Sequence, residues 1–130
     1  MGAWGHQFDE NDSAADWLAD FSDSPSWQVV RKSLEQALAQ ANDYLEADEA
    51  SEALAAAEVV SSGLGKTSQR LSDTIAKWAA AHSSEAIDLQ ALAGEAVLVV
   101  RDGSELSELW SEGESDEWIA SVTELYTRLS

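Results

Sequence analysis

The chain predicts an all-α fold: a single compact bundle of six or seven helices, orthogonal or antiparallel, forming one domain over residues 1–130. Three observations predict it. Ala, Leu and Glu are abundant, all good helix formers, and a single proline interrupts them. Apolar residues recur every three or four positions, while strand-type alternation is scarce. Finally, 45% of the residues are hydrophobic and six are tryptophan, enough for one real core at this length.

The first helix is expected over Asp12–Phe21, capped by Asn11 or Asp12, with Trp17, Leu18 and Phe21 as its apolar stripe. Ser24-Pro25 supplies an N-cap and a first-turn proline for a second helix, running to about Glu46. Its apolar positions are Trp27, Val30, Leu34, Leu38, Ala41 and Leu45. A third starts at Asp48 and ends near Ser62, with Gly63 or Gly65 as the stop. Its inner face (Ala50, Ala53, Leu54, Ala57, Val60) is small, so a neighbour approaches closely. The second and third helices are expected to form an antiparallel hairpin.

A fourth helix fits Ser72–Ala81, carrying Ile75, Trp78 and Ala79. Ser84 and Glu85 open a fifth that reaches Arg101 and ends at Asp102-Gly103. Ala91 to Val100 is apolar nearly all round, which marks this as the central buried helix. The β-branched run Val97-Leu98-Val99-Val100 leaves a strand as the alternative there. A short helix, Ser104–Ser111, carries Leu106, Leu109 and Trp110, and a last one, Asp116–Leu129, carries Trp118, Ile119, Val122, Leu125, Tyr126 and Leu129.

Charge excludes several functions. The formal net charge is −18, from 25 acids against 7 bases. Such a chain repels phosphate backbones and anionic membranes, so nucleic acid and membrane are not expected partners. Basic proteins and cations are. Residues 1–60 hold 13 acids and 2 bases, residues 101–130 hold 8 and 2, and the middle is near neutral. The absence of cysteine removes disulfide and thiol chemistry. No basic-then-apolar leader opens the chain, and His6 stands where a myristoylation signal needs Ser or Thr, so a cytoplasmic protein is expected.

The N-terminus is the most distinctive segment. Met1-Gly2-Ala3-Trp4-Gly5 places an indole between two glycines, and Phe8-Asp9, Asn11-Asp12, Ala15, Asp16-Trp17 and Asp20 follow. This opening resembles the bacterial domain of unknown function 4259 family. Ala55-Ala56-Ala57-Glu58-Val59-Val60 is similar to that family's alanine-rich helix, and Ser104-Glu105-Leu106 with Leu109-Trp110 to its Ser-Glu-Leu…Leu-Trp segment. Trp118 and Leu125…Arg128-Leu129 match its tail. Gln7 stands where the family usually has glycine. The resemblance implies a small, acidic, cytosolic protein with no assigned activity.

Candidate chemistry is sparse. His6, Asp9, Glu10, Asp12 and Asp16 gather one imidazole and four carboxylates. Helix capping, a partner-binding surface and a divalent metal site are the three readings of that cluster. Calcium-loop and His-Glu-x-x-His patterns are absent. Gly63-Leu64-Gly65-Lys66-Thr67 ends like a phosphate loop, but Val60 stands where the motif requires glycine. Glu58 follows an apolar run, which places it either buried with a raised pKa or at a helix-face edge. His82 closes the fourth helix, where a cation complements the dipole. Trp17, Trp27, Trp78 and Trp118 are expected in the core, while Trp4 and Trp110 flank acidic stretches as exposed anchors.

The partner-binding candidates are therefore Trp4, His6, Asp9, Glu10, Asp12, Asp16, Trp110 and Glu112. No catalytic residue, cofactor or metal ligand is assigned. The expected function is a non-enzymatic interaction module, such as an immunity protein neutralising a basic toxin. The alternatives are a housekeeping or stress-linked adaptor, including a homo-oligomer, and a metal-dependent enzyme built on His6 and its neighbouring carboxylates.

Overall fold

The computed structural model describes residues 12–40, 45–68, 71–104 and 115–129. Six helices occupy them: α1 (Asp12–Asp23), α2 (Trp27–Ala39), α3 (Ala47–Gly63), α4 (Asp73–Ala81), α5 (Ser83–Gly103) and α6 (Ser115–Arg128). Among the described residues the sole strand-like pairing is an isolated parallel bridge between Leu45 and Ser104. The all-α expectation therefore holds, and Val97 to Val100 is helix.

α3 is the axis of the bundle: α1, α2, α4, α5 and α6 all pack against it. From Ala53 to Gly63 every residue is buried. Alanine explains this. With side chains of one methyl, a helix can be approached from several sides at short interaxial distance. Contacts at the two ends of α3 set the directions of its neighbours. Gly63, its last residue, lies against Trp27 at the start of α2 and Ala86 near the start of α5. The Leu45–Ser104 bridge joins the entrance of α3 to the exit of α5. α2 and α5 thus both run antiparallel to α3, and the expected α2–α3 hairpin forms.

α6 runs back along α5. Arg101 reaches Thr123 near one end, and Gln90 Nε2 donates to the Leu129 carbonyl at the other, 2.6 Å away. Its apolar stripe, Trp118, Val122, Leu125 and then Leu129, is buried at the spacing the sequence predicts. α1 runs alongside α3. Ser13 Oγ donates to Asp48 Oδ1 at 2.7 Å, and Trp17 Nε1 donates to Ser33 Oγ on α2 at 2.9 Å.

An aromatic run ties α1, α2 and α4 together. Trp17 stacks on Phe21 with centroids 5.1 Å apart, and Phe21 meets Trp78 edge-on at 5.4 Å. Trp78 then packs at 4.9 Å against both Trp27 and His82. Offset and edge-on geometries avoid facing the negative π-surfaces and add about 0.5–1.5 kcal/mol per pair beyond burial. Trp27 and Trp118 are buried as expected; Trp17 and Trp78 are partly buried against the core.

Three expectations need correction. α2 begins at Trp27, not Pro25, because Ser26 takes the cap: its backbone is extended (φ −158°, ψ 132°) and its hydroxyl accepts from the Gln28 amide. α2 also stops at Ala39, well short of Glu46. Asn42 and Asp43 just beyond are poor helix formers, because their side chains compete for the backbone, and Leu45 is buried through the bridge rather than through α2. The central helix is α3, not α5: Ile87, Ala91 and Glu95 of α5 face solvent. The expected short helix from Ser104 lies outside the described residues beyond Ser104, whose hydroxyl donates to the Val100 carbonyl at 2.6 Å.

Candidate functional site

The acidic surface can be built from α1 outward. Asp16, Asp20 and Asp23 recur at i, i+4 and i+7, so they share one face of α1, and all three are exposed. The opposite face carries Ala14, Trp17, Leu18 and Phe21 into the bundle. Like charges four apart cost a helix about 0.2–0.5 kcal/mol. α1 tolerates the pair Asp16–Asp20 because its apolar face is docked and the helix no longer depends on its own propensity.

The Ser13–Asp48 hydrogen bond brings the first turn of α1 to the first turn of α3. There Asp48, Glu49 and Glu52 crowd together at i, i+1 and i+4. Burial raises the Glu52 carboxyl above its ordinary range, and repulsion from Asp48 and then Glu49 adds to it. Glu49 Oε2 is shielded from water and meets no hydrogen-bond donor among the described residues. The partial positive ends of α1 and α3 offset some of this repulsion. What remains, among the described residues, is a crowded carboxylate surface on which Glu49 Oε2 meets no donor.

The described arginines are engaged elsewhere. Arg101 is held by the neighbouring Asp102, and that hydrogen bond in turn keeps the Asp102 carboxyl below its usual range. Arg31 sits 3.9 Å from Glu35 one turn on. Arg128 belongs to the other end of α3. It grips the buried Glu58 through two hydrogen bonds of 2.8 and 2.9 Å, and its Nε donates to Glu124 at 2.6 Å. It also donates to Ser61 Oγ and to the Lys66 carbonyl. Burial works against the charged guanidinium, but the hydrogen bonds to Glu58 and Glu124 and their charges outweigh it, so Arg128 stays ionised above its ordinary range.

A match to the family model of the domain of unknown function DUF4259 covers residues 2–121. The chain belongs to that family. Most of its length is thereby accounted for, from the N-terminal glycine into α6, and the resemblance carried by the opening motif is borne out at family level. No curated protein and no solved structure matches.

Of the residues singled out in the sequence, Asp16 lies on the exposed α1 face. Trp4, His6, Asp9 and Glu10 precede the described residues; Trp110 and Glu112 fall within 105–114, also outside them. Asp12 opens α1, with its side chain outside the description. Among the described residues no group of three or more His, Asp or Glu side chains is arranged to hold a metal, and no helix is long and apolar enough to cross a membrane. Asp20, Asp23, Asp48, Glu49 and Glu52 were missed. The signal was present for the first two, since continuing the Asp12–Asp16 spacing by one turn reaches Asp20. The joining of the two acidic turns is tertiary and carries no local signature.

The glycine loop after α3 is a helix stop. Gly65 has φ +88°, in the left-handed region glycine occupies without penalty. Ser61 Oγ donates to the Lys66 carbonyl at 2.7 Å, and Ser62 Oγ lies 2.8 Å from Thr67 Oγ1. These bonds fold the segment back on α3, a different shape from a phosphate cradle. His82 Nδ1 lies 2.8 Å from the Trp78 carbonyl, at the terminus expected for it.

Proposed function

We propose that the protein is a non-enzymatic, cytoplasmic interaction module that holds a cationic protein, and that a basic toxin neutralised by complex formation is the partner best suited to it. The observation that carries this is the unanswered carboxylate surface of α1 and the first turn of α3, on a chain of net charge −18. Three of the described arginines are engaged within the molecule, two with adjacent surface acids and one with Glu58. The excess negative charge is therefore directed outward. A surface of this kind steers a positive partner and raises its association rate up to about 10⁸–10⁹ M⁻¹s⁻¹ at low salt. A second copy carries the same charge and is repelled.

The test is association kinetics with cationic proteins encoded beside this chain. Association should slow steeply with salt, and Asp16→Asn with Asp20→Asn should slow it several-fold while leaving dissociation nearly unchanged. Absence of binding to any such protein, or an association rate indifferent to salt, overturns the reading.

A further inference from the structure

We infer that the groove between α5 and α6 is a second contact surface, one that seats an amphipathic helix with a basic flank from the same cationic partner; this rests on the reading above and adds an apolar anchor to it. Ile87, Ala91, Gly94 and Leu98 recur at i, i+4, i+7 and i+11 of α5, an apolar stripe on one helical face. That is a core pattern, yet Ile87 is 62% exposed. With Tyr126 of α6 the stripe lines an open groove of about 440 Å³. Gly94 forms part of its lining: an added Cβ would stand 3.6 Å from the Tyr126 ring. Over eleven residues the stripe runs about 16 Å, three turns of a docked helix.

Charge selects the occupant. The lining contains one ionisable acid, Glu95, and no base. Glu95 is exposed and pairs with no base among the described residues, and Asp88 is exposed one turn from Ala91 on the same helix. Arg101 and Arg128, the bases of α5 and α6, are engaged by Asp102 and by Glu58 with Glu124. An apolar floor beside unpaired acids suits a helix with leucines on one side and lysines along its edge. The other exposed aliphatics, Val29 at 40% and Ile119 at 42%, are not part of the groove lining.

The probe is a short synthetic leucine–lysine amphipathic helix, titrated into the full chain at about 0.15 M salt, where screening acts within about 8 Å. Amide shifts should concentrate on Ile87, Ala91, Leu98 and Tyr126. Ile87→Asp adds negative charge, so a purely electrostatic complex would tighten, whereas a groove complex should weaken about tenfold through the lost aliphatic contact. Val29→Asp, an equal charge change off the groove, should not weaken binding. Ala91→Asp gives a second reading, and circular dichroism checks that both groove variants stay helical. If the peptide binds but shifts map to α1 and the first turn of α3, or Ile87→Asp tightens the complex, the groove is overturned and the cationic-partner reading stands. No binding to the unaltered chain overturns the groove, while the cationic-partner reading stands or falls on its own association kinetics. A dimer in sedimentation that Ile87→Asp dissolves gives the groove to a second copy and overturns this assignment.

Discussion

The two ends of α3 handle charge in opposite ways. Near its C-terminus Glu58, 4% exposed, meets a bidentate guanidinium from a helix seventy residues away in sequence. At its N-terminus Asp48, Glu49 and Glu52 crowd one another, and burial, with repulsion from Asp48 and then Glu49, makes Glu52 hold its proton more tightly. The first arrangement closes the bundle, because Arg128 ties α6 to α3 and to the Lys66 loop together. The second opens outward and leaves a demand that another molecule can meet. A helix used as an axis can thus be a structural clamp at one terminus and, on the reading proposed above, a recognition surface at the other.

The comparison breaks most sharply at the clamp. Arg128→Ala removes the bidentate guanidinium from the buried Glu58 carboxylate and should cost about 3 kcal/mol, lowering the melting temperature by about 10 °C. The double change Glu58→Leu with Arg128→Met should recover most of that loss, since an apolar pair of similar volume avoids desolvating two ions. Thermal unfolding of Glu58→Leu, Arg128→Met and the double variant gives the coupling directly. If Arg128→Ala is as stable as the parent, the ion pair contributes nothing to closure.

Close packing defends the same end. A Cβ on Gly63 would stand 2.5 Å from the Ala86 Cβ and 3.1 Å from the Trp27 ring. Gly63→Ala should therefore cost about 2 kcal/mol by overpacking, although alanine is the better helix former. Two residues on, Gly65→Ala places a side chain at φ +88° in open space. With no neighbour to clash, only backbone strain of about 1 kcal/mol remains. Denaturant midpoints at constant slope should rank the two in that order.

These particulars show how far local pattern reaches. Helix type was legible among the described residues because the apolar spacing of α1, α4 and α6 is regular and Ser72 marks a start that holds: its hydroxyl accepts from the Ile75 amide. The choice of central helix was not legible. Ala91 to Val100 looks more apolar than Ala53 to Ser62, yet the alanine-rich segment is the one enclosed, because small size rather than hydrophobicity decides which helix several others can approach. Glu58 illustrates the same limit. Local pattern left it either buried or at a helix-face edge, and its partner lies far along the chain, beyond any local spacing. The acidic site divides likewise: Asp16 was named from its spacing, whereas Asp48 and Glu52 join it only through the Ser13 contact between two helices.

The smallest effect sits at the open end, and its sign is opposite. Glu52 has a folded-state pKa raised by burial and by Asp48 and Glu49. The native state therefore binds the proton more tightly than the unfolded chain does. Stability from this group is present below the ordinary glutamate range and falls as pH rises from that range through the raised folded value. Above it the ionised Glu52 works against folding. Glu52→Gln removes that opposition and should stabilise the protein by about 0.5 kcal/mol at neutral pH. The gain should shrink to nothing as the solution is acidified through the ordinary carboxyl range, where the parent's Glu52 is neutral as well. A bound cationic partner should erase the neutral-pH gain by the same logic, since its charge replaces the missing one. Melting curves of parent and variant across pH, with and without the bound cationic protein, measure both. A variant less stable than its parent at neutral pH would mean that Glu52 already has its counter-charge inside the molecule, and that this end of α3 is as closed as the other.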